Sequence, residues 1–179
     1  MPQSANWFIE AHQASGSSVG YRVEERLHVE KTPFQTIEIY QTTDWGKLMV
    51  IDDCVMLTDR DNFLYHEMMT HPALFTHSGA RRVVIIGGGD CGTLREVLRH
   101  GEVEQVTQVE IDERVTRLAE RYFPELCQAN DDPRAKLLFS DGIAYMAGLP
   151  EVSLDMVIVD STDPAGPAAG LFNASFYAS

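Results

Sequence analysis

The sequence is short of positive charge. Fourteen Lys and Arg stand against twenty-seven Asp and Glu, for a formal net charge of −13. A surface of that sign disfavours nucleic acid, itself a polyanion, and raises the local concentration of small cations. It also serves solubility alone. Cysteine is scarce: Cys54, Cys91 and Cys127 are odd in number and far apart. With no C-x-x-C pair, neither a zinc knuckle nor a disulfide framework has support, and free thiols suit a reducing cytoplasm. Long apolar runs are missing too. Val83-Val84-Ile85-Ile86 is far too short to cross a bilayer. Met1 to Glu10 carries no basic segment followed by an apolar one, so no leader peptide is read there. Repeats and low-complexity segments are absent. A hydrophobic fraction of 44% and a charged fraction of 23% fit an ordinary globular chain.

The pattern changes along the chain. Residues 20–31 and 34–42 alternate as strands, the second with Ile37 and Ile39 on one face. Residues 48–51 and 55–57 are short apolar runs around Asp52-Asp53, which predicts a hairpin. Asp44-Trp45-Gly46 is a second turn. From about Asn62 the period becomes helical: residues 63–75 read as a helix interrupted near Pro72, with Met68 and Met69 assigned to the core. Strands are then predicted at 82–86, 106–109, 136–139 and 154–159. They alternate with helices at 93–99, 113–122 and 143–147, and residues 163–170 read as a loop. The fold class is therefore α/β. Residues 1–62 form a small β-rich domain and residues 63–179 a Rossmann-like, doubly wound domain with a parallel sheet between helices.

Gly87, Gly89 and Gly92 make G-x-G-x-x-G between a strand and a helix, and Glu110 closes the next strand, where an acid holds ribose hydroxyls. Dinucleotide enzymes and S-adenosylmethionine enzymes share this constellation. Asp90 bears on the choice. A pyrophosphate at this turn would meet its carboxylate, whereas an ammonium or sulfonium would be attracted. A purely structural role, capping the helix that starts near Thr93, is also open to it. Asp141-Gly142 follows the third strand of this domain. The acid is placed to accept an adenine amino group and the glycine to admit the ring; taken alone, a helix-start aspartate is the better reading.

The fourth strand runs into Asp160-Ser161-Thr162-Asp163-Pro164. Ligands of open α/β sheets lie beyond the carboxyl ends of the strands. Two carboxylates three residues apart there form a trap for cations. Alkyl amines titrate near 10, so a diamine must shed a proton to become a nucleophile, and a carboxylate in a dry cleft can accept it. The competing reading is a proline turn shaped by two aspartates. His66 and His71 suggest a zinc helix, but they stand five apart, about 140° round the helix, and the metal reading is rejected. Ser161 lacks the G-x-S-x-G elbow of a serine hydrolase.

Taken together, Gln35-Thr-Ile-Glu-Ile, Asp61-Asn-Phe-Leu-Tyr65-His66-Glu67-Met68, Gly87-Gly-Gly-Asp90-Cys-Gly, Glu110-Ile-Asp112, Asp141-Gly142 and Asp160-Ser-Thr-Asp163-Pro-Ala-Gly-Pro167 resemble the polyamine aminopropyltransferases, in particular the bacterial spermidine synthases. The resemblance runs from about Trp7 to the last residue. It implies transfer of an aminopropyl group from decarboxylated S-adenosylmethionine, a co-substrate, to putrescine, giving spermidine and 5′-methylthioadenosine. It implies no cofactor, no metal and a homodimer. Carried over by position, Gln35, Gly87, Gly89, Asp90, Glu110, Asp141, Gly142 and Pro167 would hold the nucleoside donor, with Asp90 on the aminopropyl ammonium. Asp160 would accept the proton, and Tyr65, His66, Asp90, Asp160, Ser161, Thr162 and Asp163 would line the amine site.

Two departures from the family stand out. The residue after the loop aspartate, usually glycine, is Cys91; if that position needs φ > 0, cysteine is strained there. The chain also stops early in the helix after the fourth strand, so it reads as truncated at its C-terminal end, with one wall of the amine pocket lacking. The alternatives are a methyltransferase using intact S-adenosylmethionine and a catalytically incomplete nucleoside-binding fragment. An NAD oxidoreductase is the least favoured, because of Asp90.

Overall fold

A computed structural model describes residues 6–162 and 166–177. The chain divides into two compact units, Met1–Asn62 and Phe63–Ser179.

The first unit is an antiparallel meander of five strands in sequence order: β1 (Asn6–His12), β2 (Ser17–Lys31), β3 (Thr36–Thr42), β4 (Lys47–Ile51) and β5 (Cys54–Thr58). Alternation sets its core. Ile37 and Ile39 of β3 are fully buried, beside Leu48 to Ile51 of β4 and Leu57 of β5. Asp52 and Asp53 join β4 to β5 with φ of +47° and +64°, and Ile51 pairs with Cys54 across them. Positive φ at both central residues is what a two-residue turn of type I′ demands, and aspartate tolerates it better than most residues do. β1 was not read from the sequence. It pairs with β2 from Asn6↔Val23 to His12↔Ser17 and leaves Trp7 and Ile9 more than half exposed, so no buried face gave it an alternating pattern.

The second unit opens with α1 (Asn62–Thr76). The expected break at Pro72 does not occur. An interior proline costs about 3 kcal/mol, but His66, Thr70 and Leu74 bury one face at four-residue spacing and carry the helix through it. Met69 packs against the core, whereas Met68 is 70% exposed, contrary to the core placement expected for both. Four parallel strands follow: β6 (Arg82–Gly87), β7 (Gln105–Glu110), β8 (Ala135–Phe139) and β9 (Met156–Asp160), in the order β8-β7-β6-β9. They alternate with α2 (Gly92–Leu98), α3 (Glu113–Tyr122) and α4 (Gly142–Ala147), and α5 (Ala174–Tyr177) follows β9. Residues 166–170 of the predicted 163–170 loop belong to a 3₁₀ helix, Gly166–Phe172.

β6 is apolar on both faces because both are covered. Val83 and Ile85 join Leu74, Leu94 and Val97 on one side; Val84 and Ile86 join Val109, Ile143 and Leu171 on the other. The chain builds outward from β6 through β7 to β8, then returns to place β9 on the opposite side of β6. The order therefore reverses between β6 and β9, and such a switch point opens a crevice at the carboxyl ends of the strands.

Candidate active site

Three carboxylates stand at the carboxyl ends of the strands: Asp90 three residues beyond β6, and Glu110 and Asp160 as the last residues of β7 and β9. Glu110 and Asp160 are each only 7% exposed. Asp160 is held at three points. Its Oδ1 accepts the Tyr65 hydroxyl at 2.6 Å and its Oδ2 accepts the Thr93 hydroxyl at 2.6 Å. Its backbone carbonyl accepts the Gly88 N–H at 2.7 Å. Asp90 Oδ1 accepts the Gly92 N–H at 2.7 Å and lies 3.0 Å from Nε2 of His66. Glu110 accepts the Asp112 N–H at 2.8 Å, and Asp112 caps α3 by accepting from the Arg114 N–H.

The glycine pattern has local causes. Gly87 has φ +85°, and a Cβ there would strike the carbonyl of Asp160. A Cβ on Gly92 would collide with the imidazole of His66, so the third glycine leaves room for that ring. The Gly89 carbonyl accepts the Thr116 hydroxyl at 2.8 Å. Cys91 answers the question raised by the sequence: its φ is +70° and its ψ 5°, the left-handed region. A residue with a Cβ is strained there by roughly 1–2 kcal/mol.

Crowding three acids in a dry crevice moves their protons. Burial, against the Asp112 N–H, pushes Glu110 up to about 7, and the charges of Asp112, Asp160 and Asp90 add to it. Burial and then the charge of Asp90 raise Asp160, against the hydroxyls of Thr93 and Tyr65. Burial would raise Asp90 as well, but His66 and the Gly92 N–H outweigh it and hold this carboxyl below its ordinary value. Burial would lower His66; Asp90 and Asp160 outweigh it, and the imidazole is raised. Burial and the Asp160 charge push the Tyr65 phenol far up, so its hydroxyl is a standing donor. Asp90 and Asp160 therefore favour a bound cation, and Asp160 is also a carboxylate able to take up a proton.

The second unit thus brings Tyr65, His66, Asp90, Glu110 and Asp160 together. Asp141 lies at the start of α4 and caps it, accepting from the N–H groups of Ile143 and Ala144. The buried Gly142 follows it and leaves room for Ile86, whose Cγ2 would sit 2.5 Å from an added Cβ. Ser161 and Thr162 are half-buried, and the Ser161 hydroxyl bonds the Thr162 carbonyl at 3.1 Å. Asp163 and the side chain of Pro167 lie outside the described residues. Gln35 belongs to the first unit, where its carbonyl accepts the Thr32 N–H at 2.9 Å. Sequence reasoning missed Thr93. It is fully buried and points at Asp160, and its place just after the last glycine of the loop was the available signal. Among the described residues Glu67, His71 and Glu96 also bring donor atoms within 4.8 Å of one another. Both Glu96 oxygens are already paired, with Arg95 at 2.9 Å and Arg99 at 2.7 Å.

Residues 62–179 match the family described as "Spermine/spermidine synthase domain", and residues 6–59 match "Spermidine synthase tetramerisation domain". The polyamine aminopropyltransferase of Xanthomonas campestris pv. campestris (strain B100) is 67% identical over 179 residues, which are 100% of this chain and 63% of that protein. That of Xylella fastidiosa (strain M12) is 65% identical with the same coverage. Among solved structures, a spermidine synthase in complex with the transition state analogue AdoDATO superposes with a TM-score of 0.92 at 35% identity, over 99% of this chain and 60% of that one. Spermidine synthase from Thermotoga maritima does so with a TM-score of 0.89 at 34% identity, again over 99% and 60%. The chain spans 63% of the length of the curated relatives it matches. With the antiparallel meander, the parallel-sheet unit and both family matches in agreement, the chain belongs to the spermine/spermidine synthase family.

Proposed function

We propose that this chain carries the donor site and the proton acceptor of an aminopropyltransferase, which transfers the aminopropyl group of decarboxylated S-adenosylmethionine to putrescine. The observation that carries the reading is the set of three carboxylates at the switch point, with His66 as the cationic partner of Asp90. Glu110 takes the ribose hydroxyls and Asp141 the adenine, with Gly142 beside it. Asp90 takes the ammonium at the end of the aminopropyl tail. A carboxylate on the same tail, as in intact S-adenosylmethionine, would be repelled there, which favours this reading over a methyltransferase. Asp160 receives a proton from the acceptor amine, whose nitrogen then attacks the methylene beside the sulfonium. The carbon–sulfur bond breaks, its electron pair stays on sulfur, and neutral methylthioadenosine leaves. Tyr65 and Thr93 hold the Asp160 carboxylate in place, while His66, Ser161, Thr162 and Asp163 line the amine side. Pro167 and Gln35 complete the nucleoside set by position in the sequence.

A cytoplasmic setting fits the three free thiols; among the described residues no helix is long and apolar enough to cross a membrane. The resemblance suggests a homodimer, and the printed name of the family matched by residues 6–59 suggests a tetramer. Light scattering after deletion of residues 1–61 tests the first unit as the contact.

The deciding experiment incubates the protein with decarboxylated S-adenosylmethionine and putrescine and follows methylthioadenosine and spermidine by mass spectrometry. Asp160→Asn is expected to lower turnover about 10²- to 10⁴-fold, and intact S-adenosylmethionine to bind more weakly than the decarboxylated donor. S-adenosylhomocysteine as product would establish the methyltransferase instead. Methylthioadenosine binding without turnover would leave this chain as the nucleoside-binding part alone.

A further inference from the structure

Two of the three cysteines meet under the glycine loop. Cys91 follows Asp90 and is fully buried; its Sγ lies 3.6 Å from the Gly89 carbonyl and 3.6 Å from Nε2 of Gln108. Cys127 begins a 3₁₀ turn, Cys127–Ala129, that packs on α2. It is half-buried, its Sγ lies 3.7 Å from the Asp90 carbonyl, and it is a hydrogen-bonding neighbour of the Cys91 thiol. Both sulfurs thus touch the three-residue stretch that carries the Asp90 carboxylate, and neither is in a disulfide.

We propose that Cys91 and Cys127 are a redox modification site: a hydroperoxide converts the pair to a disulfide that displaces the Asp90 loop and weakens the donor site. Cys127, the more accessible thiol, reacts first. Its sulfur attacks one peroxide oxygen, the O–O bond breaks, and a sulfenic acid and water or an alcohol result. Cys91 attacks that sulfur, forming the S–S bond and releasing water, so two thiols lose two electrons and two hydrogens to one peroxide. The reverse order is disfavoured. The hydrogen bond with Cys127 and then burial push the Cys91 thiol up, and a buried protonated thiol is a poor nucleophile toward bulk oxidant.

Closing the two sulfurs to a bond of about 2.05 Å fixes the spacing of the Cys91 and Cys127 backbones. The Asp90 carbonyl lies 3.7 Å from Sγ of Cys127, and the Asp90 carboxylate is aimed by Gly92 and His66. The effect on the donor, though not the disulfide itself, rests on the function proposed above. By linkage, donor and oxidation oppose one another equally, so bound nucleoside protects the thiols as strongly as the disulfide weakens binding.

The test uses the 179-residue chain carrying Cys54→Ser, treated with hydrogen peroxide. Intact mass is expected to fall by about 2 Da and to recover with dithiothreitol. Neither change should occur in Cys127→Ser or in Cys91→Gly. Methylthioadenosine titrated calorimetrically is expected to bind the oxidised chain about 5- to 150-fold more weakly than the reduced one, with dithiothreitol restoring affinity. Oxygen adducts on Cys127 with Cys91 still open to alkylation after unfolding would overturn the site. A disulfide that leaves affinity unchanged would overturn its effect. Disulfide formation in a chain that binds no nucleoside even when reduced would fail the functional reading and leave the modification site standing.

Discussion

The two units bury different kinds of polar group. Among the described residues the first unit buries only threonines, Thr32, Thr42 and Thr58. Its charges lie toward the surface, in pairs such as Arg22–Asp44 at 2.9 Å and Arg26–Glu38 at 3.0 Å. The second unit buries Glu96, Glu110, Asp112, Asp160 and His66. Glu96 is answered by two arginines and Asp112 by a helix N-terminus. Glu110 and Asp160 have hydrogen-bond donors but, among the described residues, no cation bonded to them. A charge buried on such terms costs stability. Among the described residues such charges lie in the second unit, which also holds the proposed proton acceptor.

Substitutions can break or sharpen this contrast. The largest expected effect is on Glu110. Its carboxyl is raised from 4.5 to about 7 in the fold. As pH rises through that window the unfolded chain has already lost the proton and the fold still holds it, so stability falls with rising pH. Glu110→Gln removes the penalty. Urea titrations should show a gain near zero at about pH 4, growing to at most about 3 kcal/mol at about pH 8; a pH-independent gain would refute the assignment. Thr93→Val comes next. It takes one donor from the Asp160 carboxylate, costs about 1.5–3 kcal/mol, and should move the acid limb of the pH–rate profile upward. An unmoved limb would make Thr93 merely structural.

Cys91 gives a smaller effect with an unusual order. Glycine weakens a helix interior relative to alanine, but Cys91 is the cap residue before α2 and at φ +70° the order should invert. Cys91→Gly is expected to be more stable than Cys91→Ala by roughly 1–2 kcal/mol by thermal unfolding. The smallest change belongs to the first unit. Asp53→Gly meets the type I′ turn without strain and should stabilise by up to about 1 kcal/mol. It should leave nucleoside binding untouched; a change there would mean that the units are not as separate in chemistry as their burial suggests.

Much of the fold was legible because period and punctuation agreed. Ile37 and Ile39 alternated into the core, Asp52-Asp53 marked a hairpin, and each predicted strand of the parallel sheet lies within a few residues of where it was read. The failures came where tertiary context overrode local signals. Pro72 reads as a break only if the buried face of α1 is unknown. Met68 reads as core only if the direction of that face is unknown. The candidate carboxylates were legible as strand-end residues, and the capping role weighed for Asp141 is the one its side chain takes. Thr93 was missed because its contact lies 67 residues away; its place after the last glycine of the loop marked a helix start and not the partner.

The backbone carbonyl of Asp160 holds the glycine loop and its carboxylate holds Thr93 at the far side of that loop. One residue therefore ties the segment that would grip the donor to the group that would take the proton. A mutational survey of residues 87–93 would then not find two independent axes. Variants should fall along a single diagonal, on which each loss of donor affinity brings its own loss of rate.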